Sequence, residues 1–172
     1  MPGKDAEATT IEDQPRQVRA WYGLPGEIVV ESGHWHLVKV GPLPLPHPPV
    51  INRLIRRGLP REEKLRLSYW HELGHLQTLP LALAHAVWLW HGRSRRPRPW
   101  MGRLIRLAAA LVAHEAAWEL ASETYVVTKS GPRYRRLHRK YPNPLRPAFW
   151  VGMAGLALVG TVFFVRKQSQ GQ

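Results

Sequence analysis

His71-Glu72-Leu73-Gly74-His75 is the stretch on which the reading of this chain turns. Residues i and i+4 of an α-helix stand one above the other on the same face. His71 and His75 can therefore hold one metal ion, with Glu72 beside them to handle a proton, which is the HExxH pattern. The flanking residues predict the helix that this requires. Pro60 suits a first helical position, and Glu62 and Glu63 complement the positive end of the helix dipole. The helix is expected to run to about Leu79, where Pro80 ends or kinks it. Beyond Arg66 it is apolar on most sides, through Leu67, Tyr69, Trp70, Leu73 and Leu76, which marks a buried helix. Two histidines and a glutamate in such a helix need partners, because unpaired buried polar groups are costly. A metal ion supplies one.

Composition narrows the chemistry. The chain has 172 residues, which fits one domain with a real core. It has no cysteine, so disulfides, thiolate-bound zinc and a thiol nucleophile are excluded, and any metal is held by His, Glu or Asp. With 25 Lys and Arg against 12 Asp and Glu the formal charge is +13, which implies an anionic partner, nucleic acid or membrane. Eight tryptophans favour the membrane, because Trp concentrates at bilayer interfaces. Residues 1–20 are polar, lack the apolar core of a signal peptide and read as a disordered tail.

Residues 27–40 hold two β-rich runs about Glu31-Ser32-Gly33, which predicts a hairpin. The five prolines of residues 41–49 predict an extended connector, and Val50–Gly58 one or two helical turns. Residues 81–90 continue as an apolar helix. It is too short to cross a bilayer alone, although joined to the preceding helix through Pro80 it is long enough. A basic, proline-broken loop follows. Residues 103–127 form a helix in which Glu115, Glu119 and Glu123 fall four apart and stack along one side. Such a stripe on an apolar helix must meet positive charge, either a metal or arginines. The three glutamates also argue against a lipid-facing helix, so it is expected to pack on the His71–His75 helix. Residues 129–147 read as a basic loop. Residues 148–165 are eighteen residues without a charge, about 27 Å as a helix, and predict a transmembrane segment followed by a short tail, 166–172.

A catalytic zinc takes three protein ligands and keeps one position open. A third histidine at the metzincin spacing is absent, since Thr78 and Leu81 occupy those places, and the only aspartates, Asp5 and Asp13, lie in the tail. That leaves a glutamate of the 103–127 helix. Leu59–Thr78, LPREEKLRLSYWHELGHLQT, resembles the active-site helix of HtpX-like and CAAX-prenyl-endopeptidase-like zinc metalloproteases. In those families a ligand Glu on a later helix is followed four residues on by an Asp. Glu119-Leu-Ala-Ser-Glu123 is similar, with Glu123 where the family has Asp. The resemblance implies Glu119 as third ligand and Glu123 as the acceptor that orients a ligand histidine. Glu115 stays open as a competing ligand.

The expectation is therefore a mainly α chain with a small N-terminal β-hairpin, a minimal zincin-like catalytic domain over residues 21–147, and a C-terminal transmembrane helix. Its implied activity is that of a membrane-anchored endopeptidase using Zn2+, His71, His75, Glu119 and the general base Glu72. The implied partners are a peptide or protein substrate and anionic lipid, with nucleic acid disfavoured. The strand from His34 to Val40 is a candidate to hold an extended peptide. Seven Lys or Arg precede the final apolar segment between Lys129 and Arg146 against two after it, which places the catalytic domain on the cytoplasmic face. The alternative is a non-catalytic basic membrane scaffold, or a lipid- or nucleic-acid-binding protein, whose HELGH helix is structural.

Overall fold

A computed structural model describes residues 15–45, 50–91 and 99–169, with side chains through Val162. The chain is mostly helical, with a small antiparallel sheet at its N-terminal end. The sheet comprises β1 (Arg16–Arg19), β2 (Pro25–Glu31), β3 (His34–Val40) and β4 (Leu43–Pro44), in that spatial order. The helices are α1 (Val50–Ile55), α2 (Arg61–His91), α3 (Trp100–Ser130), α4 (Pro132–Lys140) and α5 (Leu145–Ser169).

The expected hairpin is the β2–β3 pair. Ser32 and Gly33 both have positive φ, 52° and 74°, which is the twist that a tight two-residue turn between antiparallel strands demands. It is flanked by two short strands that the sequence pattern does not reveal. Residues 16–19, expected within a disordered tail, pair with Pro25–Ile28, while residues 1–14 lie outside the described residues. Leu43 and Pro44 of the proline segment pair with Val40 and Lys39, whereas residues 46–49 lie outside the described set.

Pro80 does not end α2, which runs unbroken to His91. A proline cannot donate to the carbonyl four residues back, and its ring disturbs the preceding turn. The carbonyl orphaned by Pro80, that of Leu76, and the neighbouring carbonyl of Gln77 both accept donors from outside the helix. The Tyr22 hydroxyl donates to the Leu76 carbonyl at 2.6 Å, and the Trp21 indole N–H donates to the Gln77 carbonyl at 3.2 Å. Gln77 in turn accepts the Trp21 backbone N–H through Oε1. The segment after β1 thus satisfies the helix at the point where proline would break it.

Residues 129–147 are likewise not all loop. Pro132 opens α4, after Gly131 turns the chain with φ 53°. The helix buries Tyr134 and His138, one turn apart, and exposes Arg133, Arg135, Arg136, Arg139 and Lys140. A buried cluster of Leu59, Leu67, Val126 and Tyr134 joins α2, α3 and α4, with Trp70, Val127 and Leu137 against it. Asn143 then closes the C-terminal end of α1, its Nδ2 donating to the carbonyls of Leu54 and Ile55. Its Oδ1 accepts the Leu145 N–H at the start of α5.

The chain forms two compact units whose boundaries fall inside the two long helices. One compact unit contains the chain to Gln77 together with Ser122–Arg146, and the other contains Thr78–Ala121 and the segment from Pro147. Helix α5 is the one helix among the described residues long and apolar enough to cross a membrane, over Leu145–Val162. Only 11% of that stretch is buried.

Replacing Tyr22 by Phe removes the donor to the Leu76 carbonyl and changes little else. The variant should lose about 1–2 kcal/mol of stability in denaturant unfolding. An unchanged midpoint would show that the Pro80 turn needs no external donor.

Candidate metal centre

The His71–His75 face of α2 and the Glu119–Glu123 face of α3 are brought together by a missing side chain. A Cβ on Gly74 would lie 2.8 Å from the Ser122 carbonyl oxygen and 3.0 Å from the Ser122 Cα. Those are backbone atoms and cannot swing away. Glycine costs a helix interior about 1 kcal/mol relative to alanine. Here it lets the α3 backbone approach closely, at the turn between Glu119 and Glu123.

His71, His75 and Glu119 are all buried, at 1%, 5% and 4% exposure. One ligand atom from each lies within 4.8 Å of the other two. Ligands of a tetrahedral ion at 2.0–2.1 Å stand about 3.4 Å apart, so small side-chain rotations close the gap. Two imidazoles and one carboxylate are a donor set that suits zinc, and they leave a fourth position open. Glu115, one turn earlier on α3, is exposed and outside this group.

Glu123 stands behind His71. Its Oε2 lies 3.1 Å from His71 Nδ1. An ionised carboxylate only accepts, so Nδ1 carries the proton and Nε2 presents its lone pair on the other side of the ring. Three further bonds reach the same carboxylate. Arg56 binds it with both guanidinium nitrogens, at 2.7 Å to Oε1 and 2.5 Å to Oε2, and the Tyr134 hydroxyl donates to Oε1 at 2.6 Å. Glu123 and Arg56 are both fully buried. Burial by itself would raise the Glu123 pKa, but the adjacent Arg56 guanidinium and the His71 hydrogen bond overcome it and hold the carboxyl at about 2. Burial and the neighbouring carboxylate push the Tyr134 hydroxyl up, so it stays a protonated donor.

Glu72 faces the sheet. Its Oε2 accepts the Leu37 backbone N–H at 3.0 Å and its Oε1 accepts Asn52 Nδ2 at 2.7 Å. One turn earlier Ser68 Oγ accepts the Trp35 N–H at 2.9 Å. The strand β3, a candidate from sequence to hold an extended peptide, thus gives two of its N–H groups to α2. Each Glu72 oxygen keeps a second lone pair, so the carboxylate is fixed in place and can still accept a proton.

The sequence places His71, Glu72, His75, Glu119 and Glu123 on two helices, and the fold brings all five side chains into the buried interior. Arg56 and Asn52 were not singled out, since both sit in what reads as a short basic helical segment. The one available signal for Arg56 was the requirement that the glutamate stripe meet a cation. The Tyr134 hydroxyl is engaged as a hydrogen-bond donor to Glu123. His34 and His36 are both buried on β3, and neither joins the candidate ligand group. Burial, followed by the charges of Lys64, Arg56 and Arg53, lowers the His34 pKa to about 4.

Two outcomes follow from this geometry. Gly74→Ala should destabilise the protein by about 1–3 kcal/mol through overpacking, despite alanine's better helix propensity, as read by denaturant unfolding. A raised midpoint would contradict the close approach of α2 and α3. Because the folded Glu123 carboxyl titrates below its unfolded counterpart, its contribution to stability is fully present above about pH 4.5 and is lost as pH falls toward 2. Arg56→Met leaves that carboxylate buried without its cation, and should cost about 3–5 kcal/mol at neutral pH. A variant as stable as the parent, with the same acid limb, would refute the role given to Arg56.

No protein-family model matches the chain, and neither a curated protein nor a solved structure is significantly similar to it.

Proposed function

We propose that this chain is a membrane-anchored, metal-dependent endopeptidase with Zn2+ as its ion, His71, His75 and Glu119 as ligands, and Glu72 as general base. The observation that carries the reading is the buried His71–His75–Glu119 group, with His71 held through its far nitrogen by Glu123. A zinc ion there would supply a Lewis acid that polarises a peptide carbonyl and acidifies water. Glu123, fixed by Arg56 and Tyr134, sets the tautomer and ring orientation of His71. Glu72, held between Leu37 and Asn52, takes the proton of the attacking water and returns it to the leaving amine. The minimal zincin-like core, the likeness to HtpX-like proteases and a peptide or protein substrate belong to this reading. So does a catalytic unit on the cytoplasmic face, supported by the seven Lys and Arg before α5 against two after it. The basic outer face of α4, directly before α5, suits anionic headgroups.

One observation favours a second reading. Both Glu72 oxygens accept hydrogen bonds that fasten β3 and α1 to α2, which is what a structural glutamate would do. In that reading HELGH is a packing element of a non-catalytic basic scaffold that binds lipid or nucleic acid.

Zinc content and peptidase activity of the detergent-purified protein separate the two. Glu72→Gln should retain zinc and lose activity by a factor of about 100 or more. Glu119→Gln should lose both, and Glu115→Gln should keep both. Full zinc retention in Glu119→Gln would remove that ligand. A parent protein without stoichiometric zinc, and with steeply salt-dependent binding to DNA or anionic vesicles, would establish the second reading.

A further inference from the structure

The unit formed by Thr78–Ala121 and the segment from Pro147 is built inside out. Among its described residues the buried ones are Ala82, Leu89, Ala113, Ala116, Glu119, Phe149 and Gly160, four of the seven alanine or glycine. Most of its large apolar side chains point away. Of the 22 large hydrophobic residues exposed on the described chain, 17 belong to this unit: five on α2, seven on α3 and five on α5. Among them Leu81 is 69% exposed, Ile105 61% and Leu158 64%. A water-soluble bundle places leucine and isoleucine between its helices and charge outside. Helices packed in lipid do the reverse, with small residues at their contacts.

The contacts within the unit follow the same rule. Gly160 of α5 sits directly on Ala113 of α3, where any Cβ would collide with the alanine methyl. The candidate spanning helix is therefore packed against α3 inside the same unit, not attached as a separate anchor. The polar pair His85 and His114 stack on each other, ring centroids 5.8 Å apart, between α2 and α3. Ionisable groups in lipid turn inward and pair in this way. Trp88, Trp90 and Trp100 are exposed where α2 ends and α3 begins, and the sequence joining them carries Arg93, Arg95, Arg96 and Arg98. Tryptophan with flanking arginine is the composition of a membrane interface.

We propose that lipid acyl chains cover the outer faces of α2 beyond Thr78 and of the first half of α3, as well as α5. The bilayer-embedded part is thus a three-helix unit instead of a single span. The glutamates that argued against a lipid-facing α3 lie in its second half, from Glu115 onward, and between Leu104 and Val112 the exposed residues before them are all apolar. The uncharged length of α2 from Thr78 to His91 is about 21 Å, shorter than a hydrocarbon core of about 30 Å. Local thinning of the bilayer accommodates the difference. The inference does not depend on hydrolysis or on a bound ion.

The absence of cysteine makes the test direct. Single cysteines replace Leu83, Leu111 and Leu158 in the full chain, with Lys39→Cys, exposed on β3, as a water-facing control. Val87→Cys and Ile105→Cys serve as second sites should either of the first two fail to fold. Each variant is nitroxide-labelled and reconstituted in phosphatidylcholine–phosphatidylglycerol vesicles, and its accessibility to oxygen and to a water-soluble nickel chelate is measured. Labels on α2 and α3 should match the Leu158 label, high for oxygen and low for nickel. Nickel accessibility equal to that of the residue 39 control at the α2 and α3 sites would overturn the proposal and leave a single span. Low accessibility to both probes would overturn it in favour of a protein partner, including a second copy of the chain.

Discussion

A buried carboxylate must be fully satisfied or it does not stay ionised, and this constraint on Glu123 organises the unit that contains the HELGH helix. Arg56 comes from the turn after α1, His71 from α2 and Tyr134 from α4, and all three donate to one side chain of α3. Removing two charges from water costs several kcal/mol each, and good geometry with additional hydrogen bonds is what offsets it. The arrangement leaves little freedom. Any shift of α3 relative to α2 breaks a bond in the interior, where no solvent replaces it. The position of His71, and with it the candidate metal group, is a consequence of satisfying this carboxylate.

Glu72 performs the same task on the neighbouring face. Adjacent residues on a helix point about 100° apart, so His71 turns to α3 while Glu72 turns to the sheet and α1. The two bonds to Leu37 and Asn52 fix the sheet on the helix, and Ser68 adds a third, to Trp35, one turn before. The pentapeptide thus serves packing and candidate chemistry together: its histidines and glutamate divide two faces, and its glycine sets how near α3 comes. That economy explains how a short chain can carry so many buried polar groups.

The two long helices pass between environments of opposite kind. Toward the N-terminal half of α2 and the C-terminal half of α3 the interior holds Leu67, Val126 and Tyr134 beside the charged network. In the other halves the buried residues are Ala82, Leu89, Ala113, Ala116 and Glu119, and leucine, isoleucine and tryptophan line the outside. Pro80 lies just beyond the changeover, and the Leu76 and Gln77 carbonyls in the turn before it accept from Tyr22 and Trp21 on the sheet side.

The sequence by itself determined the candidate ligands and their helices, because helical spacing is a local property: four residues separate His71 from His75 and Glu119 from Glu123 wherever the helices go. It also determined the β2–β3 hairpin and the apolar run of α5, each legible from its own residues. Tertiary structure alone decided the rest. Arg56 and Asn52 acquire meaning only from partners far along the chain, Glu123 and Glu72. The edge strands β1 and β4 exist because β2 and β3 offer them hydrogen bonds. Glu119 rather than Glu115 meets the histidines because Gly74 and Ser122 fix the phase of α3 against α2. The apolar faces of α2 and α3 were concealed for a similar reason. Averaged along each helix, charge and hydrophobicity cancel, and only the packing separates the half that meets protein from the half that does not.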